Sequence, residues 1–304
     1  MSAWIRAMRL RTLPLSLSGI VMGSAIAYYH QFWNPSLFSV AVSTTILFQI
    51  LSNLANDLGD GVKGTDNDDR IGPERAVQSG LISFKEMKNA VVITAILSLV
   101  SAGVLIYISI QNLPSRMIYV YVVLAILCVI AAITYTVGKK AYGYQGLGDL
   151  MVFIFFGLVS VLGVYSLYTG YFIYENILPA CTIGLLSAAV LNLNNMRDYA
   201  NDTACNKHTL VVKMGPNLAK MYHASLIVLS IVSLGVFIGL FKEPLLYISM
   251  LPAVVLIVHL RKVMQTTEAK DFDPQLKVVA LTTFFLSVSL WTGLIYLMNG
   301  SQLH

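Results

Sequence analysis

The sequence predicts an all-α integral membrane protein with about nine transmembrane helices, arranged as two four-helix halves plus one, in a single domain over residues 1–304. Composition is the first observation behind this prediction, since 57% of the 304 residues are apolar and only 12% are charged. Soluble domains usually carry roughly 25% charged residues. The charges are also clustered, and most of the uncharged stretches between them are long enough to span a bilayer, which takes about 20 residues.

The helices follow from these stretches and from the turn signals between them. The first lacks a small-residue cleavage site and leads into further spans, so we expect it to be retained and not removed as a signal peptide. The eighth is short, which makes its bounds the hardest to place. In chain order the nine candidates are Leu13–Tyr29, Leu37–Leu54, Ala90–Ile108, Ile118–Val137, Leu150–Tyr168, Ile177–Leu193, Ala224–Phe241, Leu245–Leu260 and Val278–Met298.

The basic residues predict the orientation in the membrane. If the N-terminus lies inside, only Arg116 and Lys242 of the 20 Lys and Arg residues fall outside. Cytoplasmic loops are rich in these residues, so we expect a multi-pass protein of the inner (cytoplasmic) membrane with its N-terminus in the cytoplasm. The basic balance then reflects topology, contact with membrane lipid and an anionic substrate, and it does not indicate nucleic acid.

Polar residues cluster at the end of the second helix. If that helix continues to Asp60, then Asn53, Asn56, Asp57 and Asp60 lie at i, i+3, i+4 and i+7, on one face. One helix end thus presents two amides and two carboxylates together.

A second cluster follows the sixth helix with a similar pattern. Asn194, Asp198 and Asp202 lie at i, i+4 and i+8, and Asn195 and Arg197 stand between them. The spacing from Asn53 to Asp57 is repeated from Asn194 to Asp198. Because the two clusters are four helices apart, both helices end on the same side of the membrane, which indicates two parallel halves.

Carboxylates at a membrane boundary are costly and usually have a partner. Oxygen ligands suit Mg²⁺, which takes one or two carboxylates and completes its shell with substrate phosphate oxygens. We therefore expect a Mg²⁺ site on the cytoplasmic side that binds a lipid diphosphate. Asp66, Asp68 and Asp69 belong either to this site or to a solvated acidic loop. The basic residues that would meet the remaining phosphate charge are Lys63, Arg70, Arg75, Lys139, Lys140, Arg197 and Lys207.

The two clusters resemble the aspartate-rich motifs of the UbiA prenyltransferase superfamily. Asn56-Asp57-x-x-Asp60 and Asp198-x-x-x-Asp202 match directly, whereas Gly64 replaces the third aspartate of the first motif and Asp66 follows two positions later. With this departure, the chain resembles the branch of the superfamily that prenylates 1,4-dihydroxy-2-naphthoate in menaquinone synthesis. The other matching residues are Asn53, Lys63, Arg70, Gly72, Pro73, Arg75, Gln78-Ser79-Gly80, Arg9, Tyr135-Thr136, Lys139-Lys140, Gly148-Asp149 and Lys207-x-Thr209.

The resemblance implies a reaction and a set of roles. A polyprenyl diphosphate ionises, the naphthalene ring attacks the cation and loses its carboxyl group as CO₂, and demethylmenaquinone and diphosphate are the products. The implied Mg²⁺ ligands are Asp57, Asp60, Asp198 and Asp202, with Lys63 and Arg197 as further catalytic residues. The implied substrate-binding residues are Asn53, Asn56, Asp66, Arg70, Arg75, Tyr135, Lys139, Lys140, Asn194, Asn195 and Lys207.

Two alternatives to this function stay open on the sequence. One is prenylation of 4-hydroxybenzoate or another aromatic acid within the same superfamily. The other, more remote, is a cation-coupled transporter whose acidic clusters bind ions. Transporters usually hold such groups near the bilayer midplane, whereas these clusters lie beside long polar loops.

Overall fold

A computed structural model describes residues 3–67 and 70–300 of the chain, and within these ranges the regular structure is helical. The α-helices are α1 Ala3–Met8, α2 Leu13–Tyr29, α3 Pro35–Lys63, α4 Phe84–Ser109, α5 Ser115–Thr134, α6 Gly148–Thr169, α7 Ile177–Arg197, α8 Tyr199–Ala204, α9 Leu210–Met214, α10 Pro216–Gly239, α11 Ala253–Gln265 and α12 Asp273–Gly300. A 3₁₀ helix, Pro244–Met250, precedes α11.

The predicted all-α membrane fold is confirmed. Eight helices in the described part of the chain are long and apolar enough to cross a membrane, or nine if Pro244–Met250 and α11 form one span bent by 42°. This bent pair is the short eighth candidate of the sequence. The other helices are mostly longer than their apolar stretches, because their ends are set by polar residues.

Two helix starts illustrate how polar residues extend the spans. Asn34 caps α3 by accepting hydrogen bonds from the backbone N–H of Ser36 and Leu37, at 3.0 and 3.1 Å. At α4, Ser83 and Glu86 form a capping box, in which each side chain bonds the other residue's backbone N–H. Each pattern satisfies N–H groups that lack a partner in the first helical turn.

The bundle is built around α2 and α7. Two thirds of the apolar window of each is buried, against 11% for α5, so α2 and α7 form the interior and α5 lies at the lipid-facing edge. The final helix, α12, packs on both α2 and α7 and joins the two halves. Tight contact between α6 and α7 depends on Gly157, where a Cβ would lie 2.6 Å from the carbonyl oxygen of Ala180.

The middle of α6, Phe153–Gly163, has π-helical hydrogen bonding. Such segments are rare and often occur at functional sites. Here Phe155, Phe156 and Ser160 line a cavity of about 360 Å³, whose other walls come mainly from α2, α3, α4 and α5. The cavity is largely apolar, and its polar residues include Asn53, Asn56 and Tyr135.

Candidate active site

The end of α3 carries the first carboxylate cluster, as predicted. The helix continues past Asp60 to Lys63 and stops at Gly64, which adopts the left-handed conformation (φ 70°) that favours glycine. Asp57 and Asp60 are both buried, at 1% and 6% exposure. Buried carboxylates need hydrogen-bond or charged partners, and the two residues find different ones.

Asp57 binds the loop that follows α3. Its carboxylate accepts hydrogen bonds from the backbone N–H groups of Ala76 (3.2 Å) and Val77 (3.3 Å). These residues precede the Gln78-Ser79-Gly80 turn before α4. The Asp57 carboxylate therefore fixes the path of the loop over the end of the bundle.

Asp60 shares a cation with Asp202, which lies in α8 of the other half. The Lys207 ammonium is 3.8 Å from Asp60 Oδ2 and 3.6 Å from Asp202 Oδ1. Asp202 is only 2% exposed, and its second oxygen, Oδ2, is buried with no hydrogen-bond partner in the described part of the chain. The ends of the two halves thus meet at one positive charge between two carboxylates.

Tyr144 also contacts Asp60, and sequence reasoning missed this residue. Its hydroxyl donates a hydrogen bond of 2.7 Å to Asp60 Oδ1 and lies 2.5 Å from the Thr65 hydroxyl. The Lys63 ammonium stands over the Tyr144 ring, 3.8 Å from the centroid. Such a cation–π contact lowers the cost of holding a lysine near the site. The position of Tyr144, five residues after Lys139 in the same polar loop, was the available signal.

Asp198 is held by arginines. Arg197, which is 1% exposed, donates from Nε to Asp198 Oδ1 (2.8 Å) and from Nη2 to Oδ2 (2.7 Å). Arg70 reaches Asp198 Oδ2 at 3.3 Å from the loop after α3. Arg197 also bonds Asn194 Oδ1 at 2.8 Å and pairs with Asp273 at the start of α12.

Asp66 is part of the site and not of a solvated loop. It is 6% exposed, and both Arg70 Nε and Arg75 Nε lie 3.4 Å from its Oδ1. Arg70 therefore bridges Asp66 of the first half and Asp198 of the second. The predicted acidic residues Asp68 and Asp69 lie outside the described residues.

Burial and neighbouring charges shift the pKa values of the loop residues in different directions. Burial raises the pKa of Asp202 to about 6, against the opposing effect of Lys207. Burial also raises the pKa of Asp66, more than Arg75 lowers it. For Asp198, burial acts in the same direction, but hydrogen bonds and charge from Arg197 outweigh it and the pKa lies below the usual value. The pKa of Lys207 is raised, because Asp60 and Asp202 outweigh its burial.

The amides and Tyr135 link the carboxylates to the apolar cavity. Asn53 donates to the carbonyl oxygen of Met8 at 2.9 Å, and Asn56 accepts a 3.3 Å hydrogen bond from Thr136. Asn53, Asn56 and Tyr135 all line the cavity. Since Asn56 and Asp60 are one helical turn apart, the cavity begins beside the carboxylate site.

The other predicted residues are placed differently. Asn195 is buried at 3% exposure. Lys139 and Lys140 are exposed after α5, and neither pairs with a carboxylate within the described ranges. Their binding of diphosphate stays a prediction.

The carboxylates of the site differ in how well they suit a divalent cation. Within residues 3–67 and 70–300, no three His, Cys, Asp or Glu side chains form a group that would hold a metal. The four-aspartate ligand set therefore stays a prediction. Asp60 and Asp202 do fit Mg²⁺, because they already flank a cation, Asp202 Oδ2 lacks a partner, and Mg²⁺ needs only one or two carboxylates when phosphate oxygens complete its shell.

Comparisons with known proteins identify the family of the chain. The sequence profile described as the UbiA prenyltransferase family matches residues 16–288. A 1,4-dihydroxy-2-naphthoate octaprenyltransferase from Escherichia coli (strain K12) is 43% identical over 277 residues, covering 90% of this chain and 89% of the relative.

Solved structures share the fold at low sequence identity. The apo structure of a UbiA homolog from Aeropyrum pernix K1 is similar with a TM-score of 0.69 at 15% identity, covering 95% of this chain and 99% of that one. A UbiA homolog from Archaeoglobus fulgidus, bound to DMAPP and Mg²⁺, has a TM-score of 0.64 at 12% identity, with coverage of 95% and 99%.

Proposed function

Because this chain belongs to the UbiA prenyltransferase family, we propose that it transfers a polyprenyl group from a polyprenyl diphosphate to 1,4-dihydroxy-2-naphthoate. It is an aromatic prenyltransferase. The observation that carries the proposal is the pairing of Asp60 and Asp202 across Lys207, beside a cavity suited to an apolar chain. Anion-binding chemistry and an apolar cavity together match a lipid diphosphate.

The reaction breaks the allylic C–O bond of the prenyl diphosphate, and on the naphthoate it breaks one ring C–H bond and the bond to the carboxyl group. The allylic C–O bond breaks and diphosphate leaves with the electron pair, after which a carbon of the electron-rich ring forms the new C–C bond and loses its hydrogen as a proton. The carboxyl group departs as CO₂, and a proton takes its place on the ring. No oxidant takes part, so the immediate product is the hydroquinone, and formation of demethylmenaquinone requires loss of two electrons and two protons.

Asp60 and Asp202 would hold Mg²⁺ together with diphosphate oxygens. When bound, the ion neutralises the charge that develops on the leaving diphosphate. The sequence resemblance implies that Asp57 and Asp198 are also ligands, and it is the only ground for including them. In the structure those two carboxylates hold the loop after α3 and the two arginines.

The chain's own cations and cavity residues account for the remaining steps. Lys207, Arg70 and Arg197 concentrate positive charge where α3 and α7 end, which favours departure of an anion from a site that excludes water. The apolar cavity holds the prenyl chain. Tyr135 lies at the cavity beside Asn56, where its ring face would stabilise the allylic cation.

The helices and the distribution of charge also support a proposal for the location of the protein. The chain is a multi-pass membrane protein by its apolar helices. We place it in the inner membrane with its N-terminus and the carboxylate site on the cytoplasmic side, because the basic residues lie almost entirely at that end. Water-soluble naphthoate would then reach the site from the cytoplasm, and the prenyl diphosphate from the bilayer.

Acceptor choice decides between this function and prenylation of 4-hydroxybenzoate. Purified protein with a polyprenyl diphosphate and Mg²⁺ should release diphosphate and CO₂ with 1,4-dihydroxy-2-naphthoate. With 4-hydroxybenzoate, the rate should be lower by at least about tenfold. Comparable turnover of the two acids, or no CO₂ release with the naphthoate, would contradict the proposal. A series of prenyl diphosphates in the same assay gives the preferred chain length.

A further inference from the structure

A second depression lies on the outer face of the bundle, at the same end as the carboxylate site. It has a volume of about 850 Å³ and is formed where α3 ends, α4 begins and α5 ends. We name it the lysine groove. Its apolar walls include Leu58, Val62, Phe84, Val92 and Ile133. None of its lining residues also lines the apolar cavity beside the carboxylates, so the two spaces are distinct.

The apolar walls of the lysine groove are exposed on the outer surface of the bundle. Val62 is 68% exposed, and Phe84 and Val92 are each 50% exposed, although they are large apolar side chains. Patches of this kind mark membrane or ligand contact. In a membrane protein the walls alone would accept any acyl chain, so selectivity must come from the polar rim.

The rim of the groove is positively charged. Four exposed lysines line it: Lys63, Lys85, Lys88 and Lys139. No ion pair joins Lys85, Lys88 or Lys139 to an acidic group in the part of the chain that the structure describes. The one acidic residue beside them in sequence, Glu86, is committed to the α4 capping box with Ser83.

We propose that the lysine groove binds an anionic phospholipid. Its headgroup phosphate would lie between Lys85, Lys88 and Lys139, with an acyl chain along Val92 and Phe84. Basic pockets between transmembrane helices bind anionic headgroups in this way, and each lysine near the surface contributes about fivefold in affinity. The occupant is a membrane lipid and not a soluble phosphate, because the apolar walls continue from the rim towards the bilayer.

Lys85 and Lys88 are the residues to change, since neither belongs to the proposed catalytic site and both are exposed. The double variant Lys85→Gln/Lys88→Gln removes two of the four rim charges. Lys262→Gln/Lys270→Gln is the matched control, because both residues are exposed and the change in charge is the same. Full-length proteins would be purified in detergent, and binding of phosphatidylglycerol and phosphatidylcholine measured by native mass spectrometry.

We expect the native protein to retain phosphatidylglycerol in preference to phosphatidylcholine. The groove variant should bind phosphatidylglycerol roughly 25-fold more weakly, while the control variant stays within about twofold of the native protein. Equal retention by both double variants would overturn the proposal, as would equal binding of the two lipids by the native protein. A thermal unfolding curve for each variant confirms that it is folded.

Kinetics in phospholipid-free micelles separate the lipid from the polyprenyl diphosphate as the occupant. If the lysine groove binds phospholipid, Lys85→Gln/Lys88→Gln should leave KM for the prenyl diphosphate within about twofold of the native value. A tenfold rise in that KM would mean that the groove admits substrate, and the proposal would be abandoned. Because the lipid-binding assay contains neither substrate, it tests the lysine groove whether or not the acceptor is correctly assigned.

Discussion

Asp57→Asn tests whether this carboxylate holds the loop after α3. The native side chain accepts hydrogen bonds from the backbone N–H groups of Ala76 and Val77, at 3.2 and 3.3 Å, and is 1% exposed. Asparagine keeps one acceptor oxygen but turns an NH₂ group towards the second donor. One buried N–H then lacks a partner, which costs about 1–3 kcal/mol.

This free-energy cost predicts a faster rate of amide hydrogen exchange. At about 1.4 kcal/mol per factor of ten, the amides of Ala76 and Val77 should exchange roughly 5- to 140-fold faster, as long as exchange follows local opening of the loop. Exchange would be measured by mass spectrometry on protein in nanodiscs. Asp271→Asn, an exposed aspartate away from the site, is the control and should leave these amides unchanged.

Two results separate loop holding from metal binding. Exchange within twofold of the native rate would refute the loop role of Asp57. The role implied by the resemblance makes a different prediction, a 10²- to 10³-fold loss of turnover together with a higher Mg²⁺ concentration for half-saturation. A variant with faster loop exchange and normal half-saturation would place Asp57 outside the metal shell.

Three further predictions concern the metal, Asp60 and the membrane topology. EDTA should abolish turnover and Mg²⁺ should restore it; full activity in exhaustively chelated membranes would rule out the proposed use of the carboxylates. Tyr144→Phe removes the 2.7 Å hydrogen bond to Asp60, so kcat should fall by about tenfold, and an unchanged kcat would show that this bond is dispensable. A reporter fused after His304 should read outside the cytoplasm, since nine spans follow an inside start; a cytoplasmic reading would mean that the bent pair, Pro244–Met250 and α11, does not cross.

The fold was largely predictable because apolar length and charge clustering follow from the bilayer itself. Apolar length alone was enough to predict α2, whose predicted bounds match the observed ones. The extent of α3 required an additional condition, that Asn53, Asn56, Asp57 and Asp60 share a face. The bend before α11 and the π-helical part of α6 were not predicted, because hydropathy does not distinguish these backbone forms.

The sequence predicted which carboxylates lie near one another, but not their pairing. Spacing along α3 and along the segment from α7 to α8 predicted that Asp57, Asp60, Asp198 and Asp202 lie at one end of the bundle, although a break at Asp198 divides that segment into two helices. It did not indicate that Lys207 would join Asp60 to Asp202, or that Tyr144 would donate to Asp60, since these contacts depend on how loops from different parts of the chain pack. The sequence also did not indicate that Lys139, a residue of the family pattern, would line the outer groove.

The most direct test of the central claim is a double-mutant cycle on Asp60 and Asp202, measured as kcat/KM for the prenyl diphosphate at saturating Mg²⁺. Each single change to asparagine should cost on the order of 10²- to 10³-fold. If the two halves build one site across Lys207, the double variant should be little worse than the poorer single variant, since residues acting as a unit are strongly non-additive. A double variant whose loss equals the product of the two single losses, in folded protein, would show that the carboxylates act independently and would contradict the account.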